Sequence, residues 1–250
     1  MKIMSLCQVQ AAKEMEDFLK EIFIIEKIAI KGSTLNPDSI DLYSDVDMEI
    51  HLLESTALDS KCLIKALSEQ FCGVFGYEVY SYDNRDIFRI CFDSGMRYDL
   101  TFIYQHTKKL YASDKSFSEN VDGIINQFWF VASMVLIKLG RRDYLIASHL
   151  ALELCQLIIV IQMLIRDNEK NTNIHKFGDA EDVPILHSLV RLKNSFGSAE
   201  GDTVADISSI LSQASEYMDE IATNLNLGYR KKSEVLKTMR HMMGDGDTKR

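Results

Sequence analysis

Ile28-Ala29-Ile30-Lys31-Gly32-Ser33, followed eleven positions after Ser33 by Ser44-Asp45-Val46-Asp47-Met48, decides the reading of the whole chain. The first part is a β-branched run that stops abruptly at Gly32, the signature of a strand ending in a tight turn. In the second, Val46, Met48 and Ile50 alternate with Asp45, Asp47 and Glu49, the period of a strand with one face buried. Side chains two apart on a strand point the same way, so Asp45 and Asp47 present two carboxylates together while Val46 and Met48 anchor the opposite face.

Paired carboxylates suit Mg²⁺, which prefers hard oxygen ligands, keeps some of its waters and is commonly shared between one or two carboxylates and substrate phosphates. Gly32 allows a phosphate to approach the backbone, and the Ser33 hydroxyl and amide can donate to its oxygens. A third acid lies further on. After a turn at Asp93-Ser94-Gly95, Tyr98, Leu100 and Phe102 alternate with Asp99 and Thr101, which turns Asp99 away from the buried side. If that strand lies beside the one carrying Asp45 and Asp47, three carboxylates converge. Unpaired, they would repel and raise one another's pKa; with a divalent cation they form a phosphoryl- or nucleotidyl-transfer site in which Asp99 ligates a second ion, acts as general base, or both. The plain alternative is a solvated acidic strand edge.

Outward from this stretch, Gln8–Lys20 has helical spacing, Asn36-Pro37-Asp38-Ser39 is a turn, Ser60–Phe71 reads as a helix, and Tyr77–Tyr82 and Ile87–Phe92 read as strands. After Tyr111 the texture changes to long helical patterns, expected at Val121–Leu139, Asp143–Arg166, Val183–Asn194, Thr203–Asn226 and Lys231–Met243, with a polar loop over Asn168–Asp182. The expected class is α+β: a mixed sheet with helices over residues 1–112, then a helical bundle over 113–250 that serves as a substrate-binding domain.

Composition narrows the function. The 250 residues carry 28 Lys and Arg against 37 Asp and Glu, a formal charge of −9. That argues against gripping a nucleic-acid backbone and suits a small cationic partner. Five Cys, an odd number without a C-x-x-C pair, fit a reduced cytoplasmic protein, and their apolar surroundings place them in the core. The apolar stretch Leu150–Ile165 is interrupted by Glu153, Gln156 and Gln162, so it reads as a buried helix rather than a membrane span. No export signal is visible in Met1–Gln10. The length and apolarity of the helical half suit a homodimer.

At the Gly-Ser and Asp-x-Asp residues the chain resembles the nucleotidyltransferase superfamily, the polymerase-beta-like fold in which a later strand supplies a third acid. Arg97–Phe102 and the Asn126–Lys138 helix are similar to those of bacterial aminoglycoside 6-adenylyltransferases, and Arg141-Arg142-Asp143-Tyr144 resembles lincosamide nucleotidyltransferases. The resemblance runs over roughly residues 20–195. It implies Mg²⁺-dependent transfer of AMP from a nucleoside triphosphate, usually ATP, to a hydroxyl of an antibiotic, and hence resistance. Asp45, Asp47 and Asp99 are then the metal ligands, with Asp99 also catalytic, and Gly32, Ser33 and Lys138 hold the nucleotide. Many relatives carry Arg where this chain has Thr34. The alternatives are a protein or RNA acceptor, as in antitoxin-like relatives, and a nucleotide sensor without turnover.

In the helical half, His149, Glu153 and Gln156 form a polar stripe at helical offsets. The stripe either lines a cleft, where Glu153 and His149 hold a cationic acceptor, or hydrogen-bonds within the bundle. Trp129 is a second acceptor candidate or simply core. Lys138, Arg141 and Arg142 share a helix face, either toward a triphosphate or as cations complementing a helix end. His175 sits in the polar loop.

Overall fold

The computed structural model describes residues 2–35, 40–53, 58–105, 116–171, 203–225 and 229–244. The expected turn at Asn36–Ser39, the helix at Val183–Asn194 and His175 lie outside them. The chain divides into two compact units, Met1–Asp114 and Lys115–Arg250.

The first unit is built on strands β1 (Ile25–Lys31), β2 (Val46–Leu52), β3 (Val74–Tyr82), β4 (Arg85–Phe92) and β5 (Arg97–Tyr104), with helices α1 (Lys2–Ile22) and α2 (Ser60–Gln70). The sheet order is β1-β2-β5-β4-β3. Only the central β2–β5 pair is parallel; the other three are antiparallel. The alternation is obeyed throughout β2 and from Tyr98 onward in β5: Val46, Met48, Ile50 and Leu52, and Tyr98, Leu100, Phe102 and Tyr104, are all buried. They share one core with Ala12, Met15 and Leu19 of α1 and Leu63 and Leu67 of α2. Aromatic rings lock this face. Phe102 meets Phe88 edge-on at 5.6 Å and Phe23 at 5.7 Å, contacts worth about 0.5–1.5 kcal/mol each beyond the area they bury. With both helices committed to the core face, the acids of β2 and β5 are left on the other.

The second unit holds α3 (Phe117–Gly140), α4 (Tyr144–Glu169), α5 (Thr203–Asn224) and α6 (Ser233–Gly244). Helix α3 starts at a capping box, in which the Ser116 hydroxyl accepts from the Glu119 amide while the Glu119 carboxylate accepts from the Ser116 amide. Buried Asp219 of α5 accepts from the Tyr229 hydroxyl at 2.6 Å and from the amides of Lys232 and Ser233 at 3.0 Å, so it caps the start of α6. Burial, then the bond to Asp219, pushes the Tyr229 hydroxyl well above its usual pKa.

Two expectations need correction here. Helix α4 is buried on one face only: Ala147, Ala151, Leu154, Ile158 and Ile161 are covered, whereas Leu145, Leu152 and Val160 are exposed. Its packing against α3 and α5 uses that single face, so apolar composition alone overstated its burial. By length and composition both α3 and α4 are long and apolar enough to cross a membrane. The cysteines are not uniformly core: Cys91 is buried, but Cys62 and Cys72 are exposed. Cys72 follows α2 in a turn with a left-handed backbone, where its apolar neighbours do not carry it inward.

Candidate functional site

Asp45, Asp47 and Asp99 converge. Each offers a carboxylate oxygen within 4.8 Å of the others, and all three side chains are partly exposed. The register explains how. In the parallel β2–β5 pair Asp47 stands directly opposite Asp99, and neighbouring strands are only ~4.8 Å apart, so two residues with the same facing place their carboxylates together. Asp45, two residues before Asp47, completes the group.

The cross-strand register extends this pair into a row over the whole sheet. Lys31 of β1 faces Asp47, Asp47 faces Asp99, Asp99 faces Arg89 of β4, and Arg89 faces Glu78 of β3. The signs run plus, minus, minus, plus, minus. The one like-charge neighbour pair is Asp47 with Asp99, where opposed carboxylates destabilise a sheet unless a cation intervenes.

The flanking acids have arginines and the middle one does not. Arg89 Nε donates to Asp99 Oδ2 at 3.2 Å and its Nη1 lies 3.7 Å from Glu78. The Arg97 guanidinium, 4% exposed, donates to the Tyr43 carbonyl at 2.7 Å and lies 3.5 Å from Asp45 Oδ2. No hydrogen bond or ion pair among the described residues reaches the Asp47 carboxylate. Burial, then the charges of Asp45 and Asp99, raise its pKa to about 6 against the opposing pull of Arg97 and Arg89. Asp99 is raised as well, mainly by burial, with Arg89 opposing. A divalent cation fits this donor set: three hard oxygens, two of them on arginine-paired carboxylates and the third, on Asp47, without a direct partner.

Two sets of contacts hold the acids in place. Gly32 opens a short 3₁₀ turn (Gly32–Leu35) after β1 with φ +63°, and a Cβ there would overlap the Asp47 carboxylate. The glycine is therefore required twice, by its left-handed backbone and by the acid pressed against it. Ser33 lies beside it in the same turn, partly exposed. Thr34 is 7% exposed, and its hydroxyl donates to the Asp45 carbonyl at 3.5 Å. It braces the acid from beneath. The loop before β2 is tied from the other side by buried Gln8 of α1, whose amide donates to the carbonyls of Asp41 (3.0 Å) and Ser44 (3.2 Å). Within the loop, the Ser44 hydroxyl donates to Asp41 Oδ1 at 2.8 Å.

Arg89, Arg97, Gln8 and the bracing role of Thr34 are not among the site residues that the sequence singles out. A signal for Arg89 was present. It and Asp99 stand symmetrically about Ser94 of the Asp93-Ser94-Gly95 turn, so folding the chain back at that turn pairs them. Glu49, two residues beyond Asp47, is engaged elsewhere: His51 Nε2 lies 2.8 Å from Glu49 Oε1 and Lys31 Nζ 3.8 Å from Oε2.

In the second unit, Trp129 is 0% exposed and packs edge-on against Phe128 at 5.1 Å. That corrects its candidacy as an acceptor-binding residue, because a fully buried indole has no surface to offer. Lys138, in the last turn of α3, lies 3.8 Å from Asp143, the residue capping α4. This is the charge complement expected at a helix end. His149 and Gln156 are exposed and Glu153 is partly exposed, on the side of α4 that also bears Leu145 and Leu152.

No family model and no curated protein matches the chain. Among solved structures, the chain is similar to an aminoglycoside 6-adenyltransferase from Bacillus subtilis over 95% of its length and 96% of that chain, with 14% identity and a TM-score of 0.32. It is also similar to the CdnE cyclic dinucleotide synthase of Elizabethkingia meningoseptica, solved with GTP and Apcpp, over 84% and 91% of the two chains, with 13% identity and a TM-score of 0.28. At these scores the likeness carries no residue-level correspondence, and function rests on the carboxylate geometry.

Proposed function

We propose that this chain is a divalent-cation-dependent nucleotidyltransferase that moves the AMP of ATP onto a hydroxyl of a small cationic acceptor of the aminoglycoside type. The observation that carries the proposal is the convergence of Asp45, Asp47 and Asp99 within 4.8 Å around a middle acid whose carboxylate makes no hydrogen bond or ion pair among the described residues. Asp45, Asp47 and Asp99 are the residues that would hold Mg²⁺. When bound there, the ion supplies charge neutralisation for the triphosphate.

The chain's own groups account for the remaining steps. The Gly32-Ser33 turn offers backbone and hydroxyl donors to the β- and γ-phosphate oxygens. The acceptor oxygen forms a bond to the α-phosphorus in line with the bridging oxygen, whose bond to that phosphorus breaks, and pyrophosphate departs. Asp99 takes the hydroxyl proton: burial raises its basicity, while the Arg89 bond fixes one of its oxygens and leaves the other to face the acceptor. Most of the acceleration comes from positioning and electrostatic stabilisation. The reading of a cationic acceptor is supported by the net charge of −9 and by the resemblance of Arg97–Phe102 and the Asn126–Lys138 helix to aminoglycoside 6-adenylyltransferases; the Gly-Ser and Asp-x-Asp motifs do not specify it.

Incubation with α-labelled ATP, Mg²⁺ and a panel of aminoglycosides tests it, read by label transfer and pyrophosphate release. Labelled antibiotic is expected. Label on protein or RNA instead would move the acceptor to a macromolecule, and ATP binding without pyrophosphate release under any acceptor would reduce the chain to a nucleotide sensor.

A further inference from the structure

The helical unit contains a small half-open cleft between α3, α5 and α6, with a volume of about 40 Å³. Its polar lining comes from Ser208, Ser212 and Ser215 of α5 and from Ser233, Lys237 and Arg240 at α6. The three α5 serines recur at offsets of four and three, so one stripe of the helix carries hydroxyls where its neighbours Ile207, Leu211, Ala214 and Met218 are buried apolar residues.

Two observations mark this stripe as more than a close-packing seam. Ser215 is 2% exposed and its Oγ has no hydrogen-bond partner, a costly state for a hydroxyl unless something in the cleft completes it. The Arg240 guanidinium donates to Ser208 Oγ at 3.1 Å and has no ion pair among the described residues. Lys237 lies 2.8 Å from Glu234, so Arg240 supplies the uncompensated charge. Every side-chain polar group on the lining is a hydroxyl or a cation, and no carboxylate lines the cleft. A site made of hydroxyl donors and a guanidinium selects an oxyanion, and Arg is the side chain best shaped for phosphate. The volume exceeds the ~10–15 Å³ that one water needs, so there is room for a larger group.

We propose that this cleft binds a phosphate oxyanion, as free phosphate or as a phosphate monoester, through Arg240, Ser208 and Ser215. The site lies wholly within the second unit and uses none of the residues of the carboxylate cluster, so it stands or falls independently of the nucleotidyl-transfer proposal.

The test uses the full chain in EDTA, which keeps divalent cations out of the aspartate cluster. Thermal unfolding is followed against inorganic phosphate, glycerol 3-phosphate, and NaCl at matched ionic strength. A saturable rise with a millimolar midpoint is expected for one or both phosphates beyond the salt control, and the two arms separate free anion from ester. Arg240→Gln should weaken the response at least tenfold, as expected for loss of a charge-assisted contact. Ser215→Ala should be at least as stable as wild type without phosphate, because it deletes a buried hydroxyl that lacks a partner, yet respond several-fold more weakly. A rise matched by NaCl, no saturable rise up to about 50 mM phosphate, well above millimolar affinity, or a response unchanged in both variants would overturn the proposal.

Discussion

Replacing Asp47 by Asn should make the metal-free protein more stable and the metal-loaded protein less so. The Asp47 carboxyl rises from its ordinary 3.8 to about 6 because it is buried beside Asp45 and Asp99. At about 1.4 kcal/mol per pKa unit, the ionised form carries about 3 kcal/mol of penalty at neutral pH in the folded state. Solvent around this partly exposed site reduces that to about 1–2 kcal/mol. An acid whose pKa is raised on folding destabilises the fold above its folded pKa, and the effect fades as pH falls through about 6 toward 4. Asn is nearly isosteric and carries no charge. In EDTA at pH 7.5, Asp47→Asn should therefore unfold roughly 4–8 °C above wild type, at about 4 °C per kcal/mol for a unit of this size. Saturating Mg²⁺ reverses the order: at a hundred times its Kd the ion adds about 2.7 kcal/mol to wild type and almost nothing to the variant. Calorimetry with and without Mg²⁺ provides the readout. A variant no more stable than wild type in EDTA, or one that Mg²⁺ stabilises equally, would refute the electrostatic argument.

The same protonation predicts that Mn²⁺ affinity is flat above pH 7 and falls about tenfold per pH unit below 6, since the cation must displace the Asp47 proton; isothermal titration across pH 5–8 checks it. Gly32→Ala should cost about 1–2 kcal/mol for its left-handed backbone and, by driving its methyl into the Asp47 carboxylate, abolish Mg²⁺-dependent stabilisation in the same melting assay. Arg89→Gln removes the cation paired with Asp99, so Mn²⁺ should bind several-fold tighter by titration. Pyrophosphate release should nevertheless slow roughly 10- to 100-fold as Asp99 loses its orientation. A merely structural arginine would not move the two in opposite directions.

The strands that carry the acids were legible because burial alternates residue by residue along β2 and along β5 from Tyr98 onward; buried Arg97 breaks the pattern at the start of β5. The convergence was conditional in the sequence, since nothing in either strand states that it has a parallel neighbour, or which. That pairing is a property of the whole sheet, with β5 inserted between β2 and β4. Arg89 was readable only through its hairpin: its partner is set by register about the Asp93-Ser94-Gly95 turn rather than by its own neighbours in the chain. Gln8 and Thr34 act on backbone carbonyls, and such contacts leave no pattern in residue type. Gly32 was singled out for phosphate approach, and the structure adds a second cause, the Asp47 side chain pressed against it. Among the helices, apolar composition could not separate the covered face of α4 from its exposed one, and the Trp129 indole reads alike as core or platform until its burial is seen.

Nucleotidyl transfer by this chain requires that one place in the fold gather a divalent cation. Crystals soaked in Mn²⁺ with a non-hydrolysable ATP analogue, measured at the manganese absorption edge, address it directly. An anomalous peak is expected within coordination distance of Asp45 and Asp47, bordered by Asp99. Manganese elsewhere, or none beside Asp47 while the nucleotide is bound, would contradict it.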